Sequence, residues 1–151
     1  MRVVVQRVKE AGVEVDGRRI SSVGAGMMIL VGIAESDTEE DVEWMVRKIV
    51  QLRIFADAGG VMNLPVTEAG GDIMVVSQFT LMASTKKGNR PSYIRAARPE
   101  KAVPLFDLLA EMLAEALGKP VARGVFGADM KVALVNDGPV TIIMDSRDRD
   151  F

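Results

Sequence analysis

The chain has 151 residues, 48% of them hydrophobic, with a formal net charge of −2, no cysteine and no histidine. That length fits one globular domain, residues 1–151, able to bury roughly two thirds of its unfolded surface. No apolar run approaches the roughly 20 residues of a membrane span and Met1 to Arg7 turns polar too early for a signal peptide, so a cytoplasmic protein is expected.

In chain order, Arg2 to Val8 is rich in valine and reads as a strand. Val13-Glu14-Val15 alternates before Asp16-Gly17, a two-residue hairpin signal, and the chain returns through Arg18 to Ser21. Met27 to Ile33 is apolar without alternation, as expected for a central strand covered on both faces. Ser36-Asp37-Thr38-Glu39 matches a capping box, and Val42, Met45, Val46, Ile49 and Leu52 recur at helical spacing after it. The acids between Glu35 and Glu43 suit the positive end of that helix.

Ile73 to Val76 reads as a second buried strand, and it delivers Ser77. Met82 to Tyr93 supports no regular element and reads as a surface loop of the length that often carries function. A second helix lies between Pro99 and Leu117, stopped by Gly118 and Pro120; Pro104 sits either in its first turn or at a kink. Strands return at Val121 to Phe126, Met130 to Val135 and Val140 to Met144, and a charged, loosely held tail follows from Ser146 to Phe151. Strands outnumber the two main helices, which predicts an α+β fold with mixed or antiparallel sheets and both helices on one side.

The missing histidine and cysteine exclude Ser-His-Asp and Cys-His catalysis. They also remove the usual zinc ligands, and no carboxylate spacing suggests an oxygen-ligand site, so no metal or other cofactor is expected. Chemistry must then come from hydroxyls, carboxylates, lysines, backbone groups or the substrate. Lys86 to Lys101 carries six bases against Glu100 alone, a block that suits phosphates or a solvated loop. Ser77-Gln78-Phe79-Thr80 stands at a strand end, where polar groups either face a ligand or satisfy local backbone. A tight turn accounts for Gly138-Pro139, with a trans bond as the default.

Taken together, Ser77-Gln78-Phe79-Thr80-Leu81 and Asn136-Asp137-Gly138-Pro139-Val140-Thr141 resemble the two signature segments of the D-aminoacyl-tRNA deacylases. Gln6-Arg7-Val8, Met62-Asn63, Lys87-Gly88-Asn89-Arg90-Pro91-Ser92 and Gly124 to Met130 are similar to that family in the same order; Pro65 departs from the serine often found there. The resemblance implies a homodimer with a β/β/α layered fold that hydrolyses D-aminoacyl-tRNA and mischarged glycyl-tRNA. It implies that Ser77, Gln78, Phe79 and Thr80 line the pocket beside the ester. It further implies a cis Gly138-Pro139 entering from the partner subunit to inspect the chiral centre, Met130 and Phe126 shaping the walls, and Lys87 and Arg90 facing the tRNA acceptor end. Two readings compete: an editing domain that removes a mischarged L-amino acid, and a non-catalytic nucleic-acid-binding module.

Overall fold

The structure is a computed structural model that describes residues 1–150. Its backbone is organised by one long strand, β1 (Arg2–Val15), which pairs antiparallel with three others: β2 (Arg18–Val23), β3 (Gly26–Gly32) and β8 (Lys131–Asp145). Beyond β3 the sheet continues in parallel through β6 (Asp72–Ser77) to the short β7 (Ala122–Arg123), giving the order β2-β1-β3-β6-β7 with β8 on the other edge of β1. The first turn has Asp16 at φ 50 and Gly17 at φ 75. Positive φ at both central positions is the turn that matches strand twist, which is why Asp-Gly was readable as a hairpin.

Two of the expected strands in β1 are one, and so are two in β8. Register shifts between Gln6 and Val8 and between Val8 and Glu10 let β1 bend and continue, rather than end, where the sequence turns polar. The bend separates two cores. Met27, Ile29, Val31, Ile73 and Val75 face one way, against the helices α1 (Glu39–Gln51) and α3 (Pro99–Leu117). The alternate residues Met28, Met74 and Val76 face the other way, against Val8, Ala11 and Val13 of the bent strand and Val132 and Leu134 of β8. Strands buried on both faces lose their alternation, so the apolar runs are explained, and the layers are β/β/α with both main helices on one side.

Helix α1 starts two residues later than its capping signal suggested. Its N-cap is Thr38, whose N–H donates to Asp41 Oδ2 at 2.9 Å, while Asp37 turns back to accept the Ala34 N–H at 2.7 Å. Helix α3 begins at Pro99 and runs through Pro104. Pro104 lies early enough that its missing N–H removes one bond near the helix start. A four-residue α2 (Val66–Ala69) and the small pair β4 (Phe55–Ala56) and β5 (Met62–Leu64) occupy the stretch between α1 and β6 that the sequence left irregular.

The tail is anchored rather than loose as far as Arg149. Ser146 is buried and its N–H donates to the Met1 carbonyl at 2.8 Å; Arg147 bonds Asp41 at 2.7 Å; Arg149 stacks 5.0 Å from the Trp44 ring. Phe151 lies outside the described residues. Among the described residues, no helix is long and apolar enough to cross a membrane.

Candidate functional site

Beside the sequence-predicted residues, at the C-terminal end of β6, lies a cavity of about 280 Å³. Ser77, Gln78 and Phe79 form one wall, Phe126 and Met130 the opposite one, and Val31 and Ala102 the floor. Parallel strands β3 and β6 end here, so the polar groups sit on a rigid edge. That is where open α/β sheets commonly present ligand groups.

Local geometry at Ser77 follows from the sequence. The Gln78 N–H donates to Val31 O at 2.7 Å, tying the strand end to β3. The chain then enters a 3-10 turn, Phe79–Met82, in which the Leu81 N–H donates to Gln78 O at 3.2 Å. A turn of this kind leaves its first N–H groups without an internal acceptor. Among the described residues the backbone N–H groups of Phe79 and Thr80 are accordingly uncommitted. Gly32 makes the turn possible: a Cβ there would lie 2.8 Å from Leu81 Cβ and 3.1 Å from Gln78 O. Thr80 does not line the cavity; its hydroxyl accepts a short hydrogen bond from Gln78 Nε2 just beside it.

The far wall depends on aromatic packing and another close approach. Phe126 meets Phe106 of α3 edge to face at 6.2 Å, and Gly124 leaves space for the Met130 sulfur, which a Cβ would meet at 2.6 Å. Sequence reasoning named Phe126 and Met130 but missed Val31, Ala102 and the rim residue Asp129, because apolar strand and helix positions read simply as core. Only the resemblance around Gly124 to Met130 could have pointed to Asp129.

Gly138-Pro139 is elsewhere. Its peptide bond is cis, as the resemblance implies and unlike the trans default for the bond taken alone, and Gly138 has φ 133, a region suited to glycine. Neither residue lines the cavity of its own chain. Instead of joining two strands, the segment lies within β8 where its pairing with β1 shifts register, held by side chains: Arg7 Nε donates to Asp137 O at 3.0 Å, Arg7 Nη1 to Ile54 O at 2.6 Å, and the Val140 N–H to Asn136 Oδ1 at 2.9 Å. Gln6 Oε1 accepts from both Asn136 Nδ2 and, at 2.5 Å, Thr141 Oγ1.

Lys87 and Arg90 are exposed on a loop closed by Ser84 and Ser92, whose N–H groups each donate to the other's carbonyl at 2.8 and 2.9 Å. Neither takes part in an ion pair among the described residues. The loop reaches the site through Tyr93, whose ring lies edge-on to Phe79 at 5.1 Å.

Comparison with known proteins shows the family. The family model described as D-Tyr-tRNA(Tyr) deacylase matches residues 4–145. A Bacteroides thetaiotaomicron protein named D-aminoacyl-tRNA deacylase is 60% identical over 150 residues, covering 99% of this chain and 100% of its own length. A Chromobacterium violaceum protein of the same name is 62% identical over 147 residues, covering 97% of this chain and 98% of its own. Among solved structures, one titled c-Myc DNA Unwinding Element Binding Protein superposes with a TM-score of 0.92 at 41% identity over 96% of this chain and 98% of that one. With the match spanning both the Ser77 wall and the Gly138 segment, the chain belongs to the D-Tyr-tRNA(Tyr) deacylase family.

Proposed function

We propose that residues 1–151 act as a single cytoplasmic deacylase domain that hydrolyses the ester of D-aminoacyl-tRNA, and of mischarged glycyl-tRNA, to free tRNA and amino acid. The observation that carries the reading is the cavity wall Ser77-Gln78-Phe79, with two uncommitted backbone N–H groups at Phe79 and Thr80 and no side chain of histidine or cysteine in the sequence. An aminoacyl ester is already activated, and the neighbouring ribose hydroxyl assists attack by water. The Phe79 and Thr80 N–H groups hold the developing oxyanion, each good donor being worth about 3–4 kcal/mol. Gln78, bonded to the Thr80 hydroxyl, keeps that side chain to one side of the ester. Phe126 and Met130 bound the cavity, and Lys87 and Arg90 face the acceptor end.

Handedness is read by main chain. D- and L-aminoacyl groups hold the same atoms, so a site that accepts many side chains must judge position around the α-carbon. The Gly138 and Pro139 carbonyls of one subunit face the amino group and α-carbon in the other subunit's cavity, admitting D and glycyl groups and clashing with L. Two features support this homodimer: the segment lies outside its own chain's cavity, and β8 pairs with β1 alone while exposing Val135 and Ile143.

Single-turnover hydrolysis of matched D- and L-tyrosyl-tRNA, with glycyl-tRNA as third substrate, tests the proposal. Rapid cleavage of the D and glycyl esters with the L ester spared is the expected result; equal rates for the two hands sink it, and preference for the L ester indicates an editing domain of the other specificity. The second reading, a nucleic-acid-binding module without catalysis, draws on the 41%-identical relative titled for binding a DNA unwinding element. It requires salt-sensitive binding with no turnover of any charged tRNA.

A further inference from the structure

Phe79 is 56% exposed, Tyr93 39% and Ile94 88%, an unusual concentration of bare apolar surface. Phe79 and Tyr93 are in ring contact, and Ile94 is the next residue along the chain. The patch therefore continues directly out of the cavity wall. The loop closed by Ser84 and Ser92, which leads directly into Tyr93, carries Lys86, Lys87 and Arg90, all exposed.

Aromatic faces next to cations are what unpaired nucleotides bind: bases stack on the rings while phosphates meet the charges. The partner's Gly138-Pro139 segment, as proposed above, reaches the cavity side of Phe79; a second copy seated on the patch itself is the less fitting occupant. A two-fold contact centred on this patch sets Lys86, Lys87 and Arg90 against their own copies, which like charges oppose. A paired helix fits poorly too, since its bases present no free face to a ring.

We propose that Phe79, Tyr93 and Ile94 form a shelf for the unpaired nucleotides immediately 5′ to the ester-bearing one, with Lys86, Lys87 and Arg90 on their phosphates. The inference rests on the deacylase reading for which nucleotide enters the cavity. It adds that the enzyme measures a single-stranded 3′ overhang, so that the tRNA end is held by its strand before the ester is inspected. Tyr93 acts as a binding residue here, and through its contact with Phe79 the occupied shelf abuts the Ser77 wall.

The test uses uncharged minihelix RNA, with and without an unpaired 3′-CCA, titrated against the full-length protein at two salt concentrations. Wild type should bind the overhang form more tightly by at least about tenfold, the size of one base stack. Tyr93→Leu and Ile94→Ser should each cut that preference severalfold, whereas Tyr93→Trp, which restores a ring face, should keep it. Lys87→Gln with Arg90→Gln should weaken both RNAs alike and flatten the salt dependence. Equal wild-type affinity for the two RNAs, or an undiminished preference in Tyr93→Leu, overturns the shelf. So does a Tyr93→Leu protein whose only change is loss of self-association by sedimentation, which assigns the patch to contact between copies. Failure of the underlying reading looks different: a wild type that prefers the overhang yet cleaves no D-tyrosyl ester keeps the shelf and loses the deacylase.

Discussion

The Ser77–Thr80 wall and the Gly138-Pro139 segment are both fixed, but by different means. The first is a strand end: Gln78 is bonded to Val31 O, and the 3-10 turn behind it presses on β3 at Gly32. Backbone groups of a central sheet do the holding. The second is a shift in the pairing of an edge strand, where the ladder does not reach it and the side chains of Gln6, Arg7 and Asn136 hold it instead. If one region carries the rate and the other the choice of hand, damage to each should show in a different number.

The largest effect is expected at Gly32. Gly32→Ala puts a Cβ within 2.8 Å of Leu81 Cβ, too close for either to stay. Overpacking of this kind costs about 1–3 kcal/mol of stability, measurable by urea unfolding. The 3-10 turn moves with Leu81 and carries the Phe79 and Thr80 N–H groups off target, and a displacement near 1 Å can cost about 100-fold in rate. The ratio of D to L hydrolysis should hardly change. A fall in that ratio without loss of D-ester rate would join the two regions and break the comparison.

Arg7→Met is the converse. It removes two guanidinium bonds, to Asp137 O and Ile54 O, leaving part-buried carbonyls to find water. The stability loss is expected at about 1–3 kcal/mol. The D-ester rate should stay near wild type while L-ester hydrolysis rises, because the carbonyls of the segment no longer hold one position. An unchanged L-ester rate with intact dimers counts against the role of Gly138 and Pro139.

A smaller effect separates backbone from hydroxyl within the first region. Thr80→Ala removes the acceptor of the Gln78 amide but no backbone donor. Under the proposed chemistry single-turnover D-ester hydrolysis falls by less than about tenfold, against the 10²–10⁴-fold roughly expected when a proton-transferring side chain is lost. A loss in the larger range assigns the proton to the Thr80 hydroxyl.

The two regions were also unequally legible. The central strands could be read because Met27 to Ile33 and Ile73 to Val76 are apolar at consecutive positions, and burial on both faces is the direct reason. The place where Ser77 is presented followed from that. The floor of the cavity was not legible, since Val31 and Ala102 have the same local pattern as any core residue and become lining only when β3 and α3 meet. Continuity of β1 and β8 through their irregular middles was hidden because a bulge breaks alternation just as a loop does. The position of Gly138-Pro139 relative to a cavity depends on tertiary contacts of Arg7 and Gln6 more than a hundred residues away in the chain, which no window of sequence contains.

Strand β6 offers the gentlest test, at the end opposite Ser77. Its first residue, Asp72, accepts from Lys119 Nζ at 2.6 Å and from the Gly24 N–H at 3.2 Å. The Lys119 hydrogen bond holds the Asp72 carboxyl below its usual value, against desolvation, with the Gly24 bond adding to it. Because the folded value is depressed, this pair contributes stability above the unfolded carboxylate value, and the contribution is lost as pH falls through the folded one. Both side chains are more than a third exposed, at 38% and 41%, so solvent screens the pair. Lys119→Met should therefore cost no more than about 1 kcal/mol near neutral pH. The difference from wild type should shrink once pH drops below about 4. The D-ester rate should not respond, because the sheet bonds of Ile73 to Val76 lie between Asp72 and the cavity and hold Ser77 without help from this end. A rate that follows Lys119→Met shows instead that the wall is only as firm as the whole length of its strand, and that backbone pairing alone does not set it apart from the side-chain-held segment at Gly138.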